Sequence, residues 1–311
     1  MADKLSALFE RYAAGLARPD ELPAAELGGE RRRFLIAELL RRGIRGWPER
    51  GTFYTKTLPP GCGPCLSGRG SNVALTTLCT RECFFCFNPK PRAPGLSVHG
   101  RAVESDAQAA DVLARHGIAS VGLSGGEPLL EPERALALIE TLRGRFGSAL
   151  RIDLYSNGDL LTPELGRSLR DAGLDGLRLN LAANGYDAAP VKRALEAMEG
   201  VDVEVELPVI VEHAPALRRL VRELDALGAA HLILHELFVS PENLDAMSAR
   251  RYRQDESRGG DKLRWSGVAS SDEAALELLL YGMEFASRLS LYYCSTSTQQ
   301  WIAENAVERR A

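Results

Sequence analysis

From Ser71 onward, short apolar runs alternate with amphipathic helical stretches, and few architectures accommodate so many repeats of that kind. The runs are NVALTTL (72–78), ASVGLSG (119–125), LRIDLYS (150–156), GLRLNLA (176–182), VEVELPVIV (203–211) and HLILHEL (231–237). Runs of this length bounded by turn residues read as strands. The segments between them carry helix signals. Ser105 with Gln108 makes a capping box, Thr162–Pro163 is a cap followed by proline, and Gly117 and Gly173 stand where helices end. Six βα repeats with strands buried on both faces predict a parallel sheet, open or barrel-like. Before them, residues 1–60 read as a helical segment, with GGERRRFLIAELLRRG its clearest piece, followed by a Pro/Gly-rich loop. The core repeats span 61–240. Residues 241–311 read as a helical extension, with helices around 241–255 and 271–289 leading into LYYCSTSTQQW.

In parallel α/β folds, reactive groups collect at the carboxyl ends of the strands. Here those ends carry CTRECFFC, SGGEPLL, YSNGD, NLAANG, PVI and HELFVS, so the chemically unusual clusters fall on one edge. A formal net charge of -4 gives no basic signature, which argues against nucleic acid. The N-terminus has no apolar signal core and no run reaches membrane-spanning length, so the expected location is the cytoplasm. In that reducing compartment, clustered cysteines are metal ligands or catalytic thiols more often than disulfides.

Five of the six cysteines fall between Gly61 and Gly95. Cys79, Cys83 and Cys86 follow C-x3-C-x2-C on a loop leaving the first predicted strand. Three thiolates so spaced can hold three irons of a cubane cluster and leave a fourth iron open for a non-protein ligand. A closed zinc site is the alternative, and it would recruit Cys62 and Cys65.

Several motifs together resemble the radical S-adenosylmethionine (radical SAM) superfamily. The C-x3-C-x2-C loop has an aromatic, Phe85, just before its last cysteine. SGGEP (124–128) at the second strand resembles the GGE motif of that family, and YSNG and LRLNL resemble its further cofactor-contacting segments. The resemblance covers roughly residues 60–240 and implies a partial (β/α)6 barrel. It implies a 4Fe–4S cluster on Cys79, Cys83 and Cys86 that binds S-adenosylmethionine, with an electron donor such as flavodoxin or ferredoxin. It also implies cleavage to a 5′-deoxyadenosyl radical that abstracts hydrogen from a small-molecule or peptide substrate. Gly125 and Gly126 lack a Cβ and suit close approach of the cofactor, beside Glu127 and Pro128. Ser156, Asn157, Arg178 and Asn180 are candidates for ribose and carboxylate contacts, and Ile210 for the adenine site.

Cys62 and Cys65 form a C-x2-C just upstream, and Cys294 stands in YYCS. Taken separately, the pair reads as redox-active or as half a zinc site, and Cys294 as a small buried hydrophobe. Taken together, the arrangement resembles a radical SAM branch related to pyruvate formate-lyase activating enzyme, with GCxxC, GGEP and YCS motifs. The closing STSTQQWIAENAVERRA departs from the lysine- and arginine-rich continuation of that branch, so the resemblance does not carry a substrate. The expectation is a second, auxiliary 4Fe–4S cluster on Cys62, Cys65 and Cys294. Zinc at these positions, or Cys294 as a hydrogen donor, are the alternatives. Glu236, ending the sixth strand, is a candidate to face substrate. A glycyl-radical-enzyme activase is the competing function.

Overall fold

The computed structural model describes residues 29–255, 264–268 and 270–308. The expected helical segment before Gly29 and the end of the chain after Glu308 lie outside them. In chain order the strands are β1 (Arg45–Trp47), β2 (Thr52–Tyr54), β3 (Gly70–Thr76), β4 (Pro94–Val98), β5 (Arg101–Ala102), β6 (Ser120–Gly125), β7 (Arg151–Ser156), β8 (Gly176–Leu179), β9 (Asp202–Val209), β10 (His231–Glu236), β11 (Phe238–Val239), β12 (Gln254–Asp255), β13 (Ser266–Val268) and β14 (Ser290–Cys294). Three sequential segments were expected. The chain divides into two compact units, each built from two stretches of sequence. One holds the described residues up to Leu58 together with Pro208–Trp301, and the other holds Pro59–Leu207 with the described residues from Ile302.

In the second unit, β3, β6, β7, β8 and β9 pair in parallel in that order. β4 and β5 extend the edge beyond β3 in antiparallel fashion. Helices Asp106–Arg115, Pro132–Phe146, Pro163–Asp171 and Ala189–Ala197 separate the parallel strands, as the βα pattern predicts. Ser105 and Thr162 cap their helices by accepting from the N–H groups of Gln108 and Leu165. The period-2 alternation of the strands then makes two unlike faces. Leu123, Leu154, Leu177, Val203 and Val205 are fully or almost fully buried on one of them, each contributing about 1.5–3 kcal/mol of burial. The other face is polar. Gly122 and Gly176 flank Asp153, Tyr155 lies opposite Arg178, and Arg178 lies opposite Glu204. Both faces are buried, as expected, but only one of them is apolar.

In the first unit, the β1–β2 hairpin pairs through β2 with β14, which runs parallel to β10 from His231↔Ser290 to His235↔Cys294. β14 is a fully buried SLYYC run that was expected only as a continuation after a helix. A small antiparallel sheet, β11–β13–β12, stands apart from these strands. The helix pair expected near 241–255 and 271–289 is Leu244–Ala249 and Ser271–Phe285. The Pro/Gly-rich stretch read as a loop contains β2. The run at 176–182 stops at Leu179, because the Asn180 side chain accepts from Ala182 N at 3.1 Å and caps a 3-10 turn.

Candidate functional site: a three-thiol loop on a polar strand edge

The loop from Thr77 to Ala93 leaves β3 and carries Cys79, Cys83 and Cys86, each half-buried. The three thiols are electrostatic neighbours. Burial first, then Cys86 and Cys79, push the Cys83 thiol up to about 11. Arg81 N approaches Cys79 Sγ at 3.5 Å, and Asn157 Nδ2 approaches the same sulfur at 3.9 Å. Phe85 stacks edge-on against Phe84, with ring centroids 5.3 Å apart. Among the described residues, no group of three or more His, Cys, Asp or Glu side chains is drawn together as a metal site. The donor set nonetheless fits an iron–sulfur cluster, since it offers three soft thiols on one short loop with N–H groups directed at sulfur.

The base of this loop is fixed by the SGGEP turn. Gly126 N donates to Thr76 O at 2.7 Å and Glu127 N to Leu78 O at 2.8 Å. A Cβ on Gly126 would lie 2.6 Å from Thr77 O and collide with the Leu78 carbonyl. The close approach that glycine allows here is therefore by the chain's own backbone, and Asn88 adds a bond from its side-chain amide to Gly125 O.

Glu127 is fully buried. Its carboxylate accepts from Ser156 Oγ at 2.9 Å, Asn157 N at 2.8 Å and Leu129 N at 3.1 Å. Burial pushes its pKa up against these bonds. Ser156 Oγ in turn accepts from Gly158 N at 2.9 Å. The Asn157 side-chain amide donates to Thr80 Oγ1 at 2.8 Å, and its Oδ1 accepts from Asp159 N at 2.9 Å. Glu127, Ser156 and Asn157 thus form one chain of bonds from the SGGEP turn to the thiol loop, and Pro128, next in sequence to Glu127, is buried.

Arg178 belongs elsewhere. Its guanidinium pairs with Glu206 at 2.7 Å, Glu204 at 2.9 Å and Asp153 at 3.2 Å, and donates to Tyr155 Oη at 2.8 Å. Burial opposes the charge, but Tyr155, Cys62, Glu206 and Asp153 hold its pKa well above the ordinary value. Its Nη2 lies 3.8 Å from Cys62 Sγ. The short helix Cys62–Leu66 reaches this polar face because residue 61 is glycine; a Cβ there would sit 2.7 Å from Arg178 Nη2. Burial, against the opposing pull of Arg178, raises the Cys62 thiol well above its usual range and Cys65 up to about 11.

In the other unit, Cys294 ends β14 in the register position beside His235 and is buried. It precedes Ser295, whose Oγ accepts from Thr298 N at 3.1 Å at the start of the Thr296–Glu308 helix. Glu236 is enclosed there. One carboxylate oxygen accepts from Thr296 N and Thr296 Oγ1, both at 2.8 Å. Tyr293 Oη donates to Asp272 at 2.7 Å, and Asp272 pairs with Arg32 at 2.6 Å. Ile210 is buried after β9, and Asn180 is half-buried at its turn.

Thr80, Arg81 and Asp159, which brace the loop, and Asp153, Tyr155, Glu204 and Glu206, which surround Arg178, are not among the residues the motifs single out. The second group had a signal in the polar alternate positions of RIDLYS and VEVEL. The first had none, since Arg81 and Asp159 lie far apart in sequence.

Residues 73–206 match the radical SAM superfamily domain. The chain is 24% identical over 266 residues to the "Putative glycyl-radical enzyme activating enzyme" of Methanocaldococcus jannaschii, covering 81% of this chain and 66% of that protein. It is 36% identical over 125 residues to a GTP 3′,8-cyclase of Synechococcus sp. strain CC9605, covering 38% of this chain and 35% of the cyclase. Streptococcus suis SuiB, solved with its precursor peptide SuiA, aligns with a TM-score of 0.44 and 14% identity over 68% of this chain and 45% of SuiB. The chain thus spans just under two thirds of the first relative and about a third of the second. The matched residues contain the three-thiol loop, the SGGEP turn and the polar strand face, and a radical SAM domain implies a 4Fe–4S cluster and S-adenosylmethionine as cofactors.

Proposed function

We propose that this chain is a radical SAM enzyme acting on a small molecule or peptide, with Cys79, Cys83 and Cys86 as the ligands of its SAM-binding cluster. The observation that carries the reading is a loop of three half-buried thiols whose base is hydrogen-bonded to the SGGEP turn. The chemistry that such a cluster supplies when bound is one-electron cleavage of the sulfonium to methionine and a 5′-deoxyadenosyl radical, which takes a hydrogen atom from substrate. The chain's own residues have the positioning work. Glu127, Ser156 and Asn157 keep the carboxyl ends of β6 and β7 in register with the loop. Gly125 and Gly126 keep the loop's root close. No membrane-long apolar helix occurs among the described residues, and the electron donor is a separate redox protein in this reading.

We further propose that Cys62, Cys65 and Cys294 hold an auxiliary 4Fe–4S cluster, a reading supported by the GCxxC and YCS motifs and by the guanidinium beside Cys62. A second reading, activation of a glycyl-radical enzyme, is favoured by the name of the Methanocaldococcus relative. Anaerobic reconstitution with iron and sulfide, reduction, and assay of 5′-deoxyadenosine tests the first reading. Cys83→Ala should abolish the product, and wild-type turnover in that variant would remove the assignment.

A further inference from the structure

We propose that Arg81 and Asp159 form a latch that fixes the three-thiol loop to the turn after β7, and that this latch sets how firmly the loop keeps its cluster and at what potential. The inference rests on the reading of Cys79, Cys83 and Cys86 as cluster ligands. Arg81 donates to both oxygens of Asp159, Nε at 2.6 Å and Nη2 at 2.8 Å, the two-pronged geometry that orients as well as attracts. Asp159 is itself aimed. Its N–H donates to Asn157 Oδ1, and its Oδ2 also accepts from Thr80 Oγ1 at 3.2 Å. Arg92 Nη1 donates to the Arg81 carbonyl at 2.7 Å and ties the returning limb of the loop to the same point. These bonds meet at Thr80 and Arg81, the residues immediately after Cys79. Elsewhere the loop is held at its root, where Thr77 and Ala93 bond each other, and by Asn88. Arg81 N lies 3.5 Å from Cys79 Sγ, so the latch fixes a cationic residue beside the thiols as well as their backbone. Arg81 and Asp159 are positioning residues, since they act through the loop.

The test uses the full chain, reconstituted anaerobically. Iron loss to a chelator should run about fivefold faster in Arg81→Gln and in Asp159→Asn, the size a partly exposed ion pair supplies. The double variant should be no faster than either single one, and Arg81→Lys should recover part of the loss. The midpoint potential of the cluster, followed by EPR, separates a latch from a general loss of structure. Arg81→Gln removes a cation and should lower the potential, whereas Asp159→Asn removes an anion and should raise it. Single variants that keep iron at the wild-type rate, or effects that add in the double variant, would overturn the latch. Wild type that takes up no iron would remove the ligand reading instead. In that case amide exchange of the apo chain decides the latch, with residues 80–92 exchanging faster in both variants if it exists and unchanged if it does not.

Discussion

Replacing Glu127 with glutamine asks whether this carboxylate is a strut or a ligand for the cofactor. Three donors converge on it from Ser156 Oγ, Asn157 N and Leu129 N. Glutamine keeps one acceptor and turns the other into a donor. With the amide nitrogen toward Asn157 N, that N–H is orphaned. With it toward Leu129 N, Ser156 must rotate to accept while it already accepts from Gly158 N. One buried N–H goes unsatisfied either way, at about 1–3 kcal/mol. The remaining bonds also lose charge assistance, which strengthens a hydrogen bond roughly twofold. Against this, glutamine escapes the burial penalty that raises the carboxyl's pKa. The balance is a loss of about 2 kcal/mol, or about 3 °C in Tm for a chain of this size. Glu127→Ala, with all three donors stranded, should lose about 4 kcal/mol. Thermal or urea unfolding of the apo chain measures both without any cofactor. If Glu127→Gln unfolds like wild type but no longer binds S-adenosylmethionine, the carboxylate faces the cofactor and the strut argument is wrong.

Gly126→Ala should destabilise the chain by about 2–3 kcal/mol, because the new methyl meets backbone of Thr77 and Leu78 rather than a side chain that can swing away; a change under about 0.5 kcal/mol would contradict the described packing of the loop root. Asp153, with a pKa raised to about 6 chiefly by burial, holds a proton in the folded chain that the unfolded chain releases above about pH 4, so stability should fall as pH rises through that window. Asp153→Asn should flatten the fall by about 1.5 kcal/mol between about pH 5 and 7.5 in urea titrations, and an unchanged slope would show that Arg151 and Arg178 keep the group ionised. Reconstituted wild type should hold about eight irons if the auxiliary site exists, and Cys294→Ala about four; a wild-type count near four would defeat that site while leaving the first cluster in place.

The parallel sheet of β3, β6, β7, β8 and β9 was legible because each run is short, β-branched or leucine-rich, and separated from the next by a helical stretch, two of them with side-chain caps. β14 was not. SLYYC follows a helix closely and lacks the polar alternation of its neighbours, so period gave no warning, although paired tyrosines have strand propensity. Of the candidate site, the residue types at the strand ends were legible and their partners were not. SGGEP and YSNG announce their turns only in outline. That Glu127 spends its oxygens on the YSNG turn depends on two strands lying side by side, which no local pattern encodes. Arg81 was hidden for the same reason, being one more exposed cation until Asp159 is brought beneath it.

Arg178 shows how the polar face divides the residues that motif reading had grouped together. A guanidinium at the third position of a four-residue strand looks equivalent to Asn180 two residues later, since both point the same way by period. In the structure Asn180 is absorbed into the turn beyond β8, while Arg178 is enclosed by Asp153, Glu204, Glu206 and Tyr155 and reaches Cys62. Such a buried charge network is weak evidence for stability, because desolvation offsets most of its attraction. Well-packed apolar residues would serve the core as well. Three carboxylates around one arginine, next to a buried C-x2-C, thus make a neighbourhood of their own, separate from the thiol loop and its Glu127–Asn157 support. Motif proximity in sequence had merged two neighbourhoods, and the strand register resolves them.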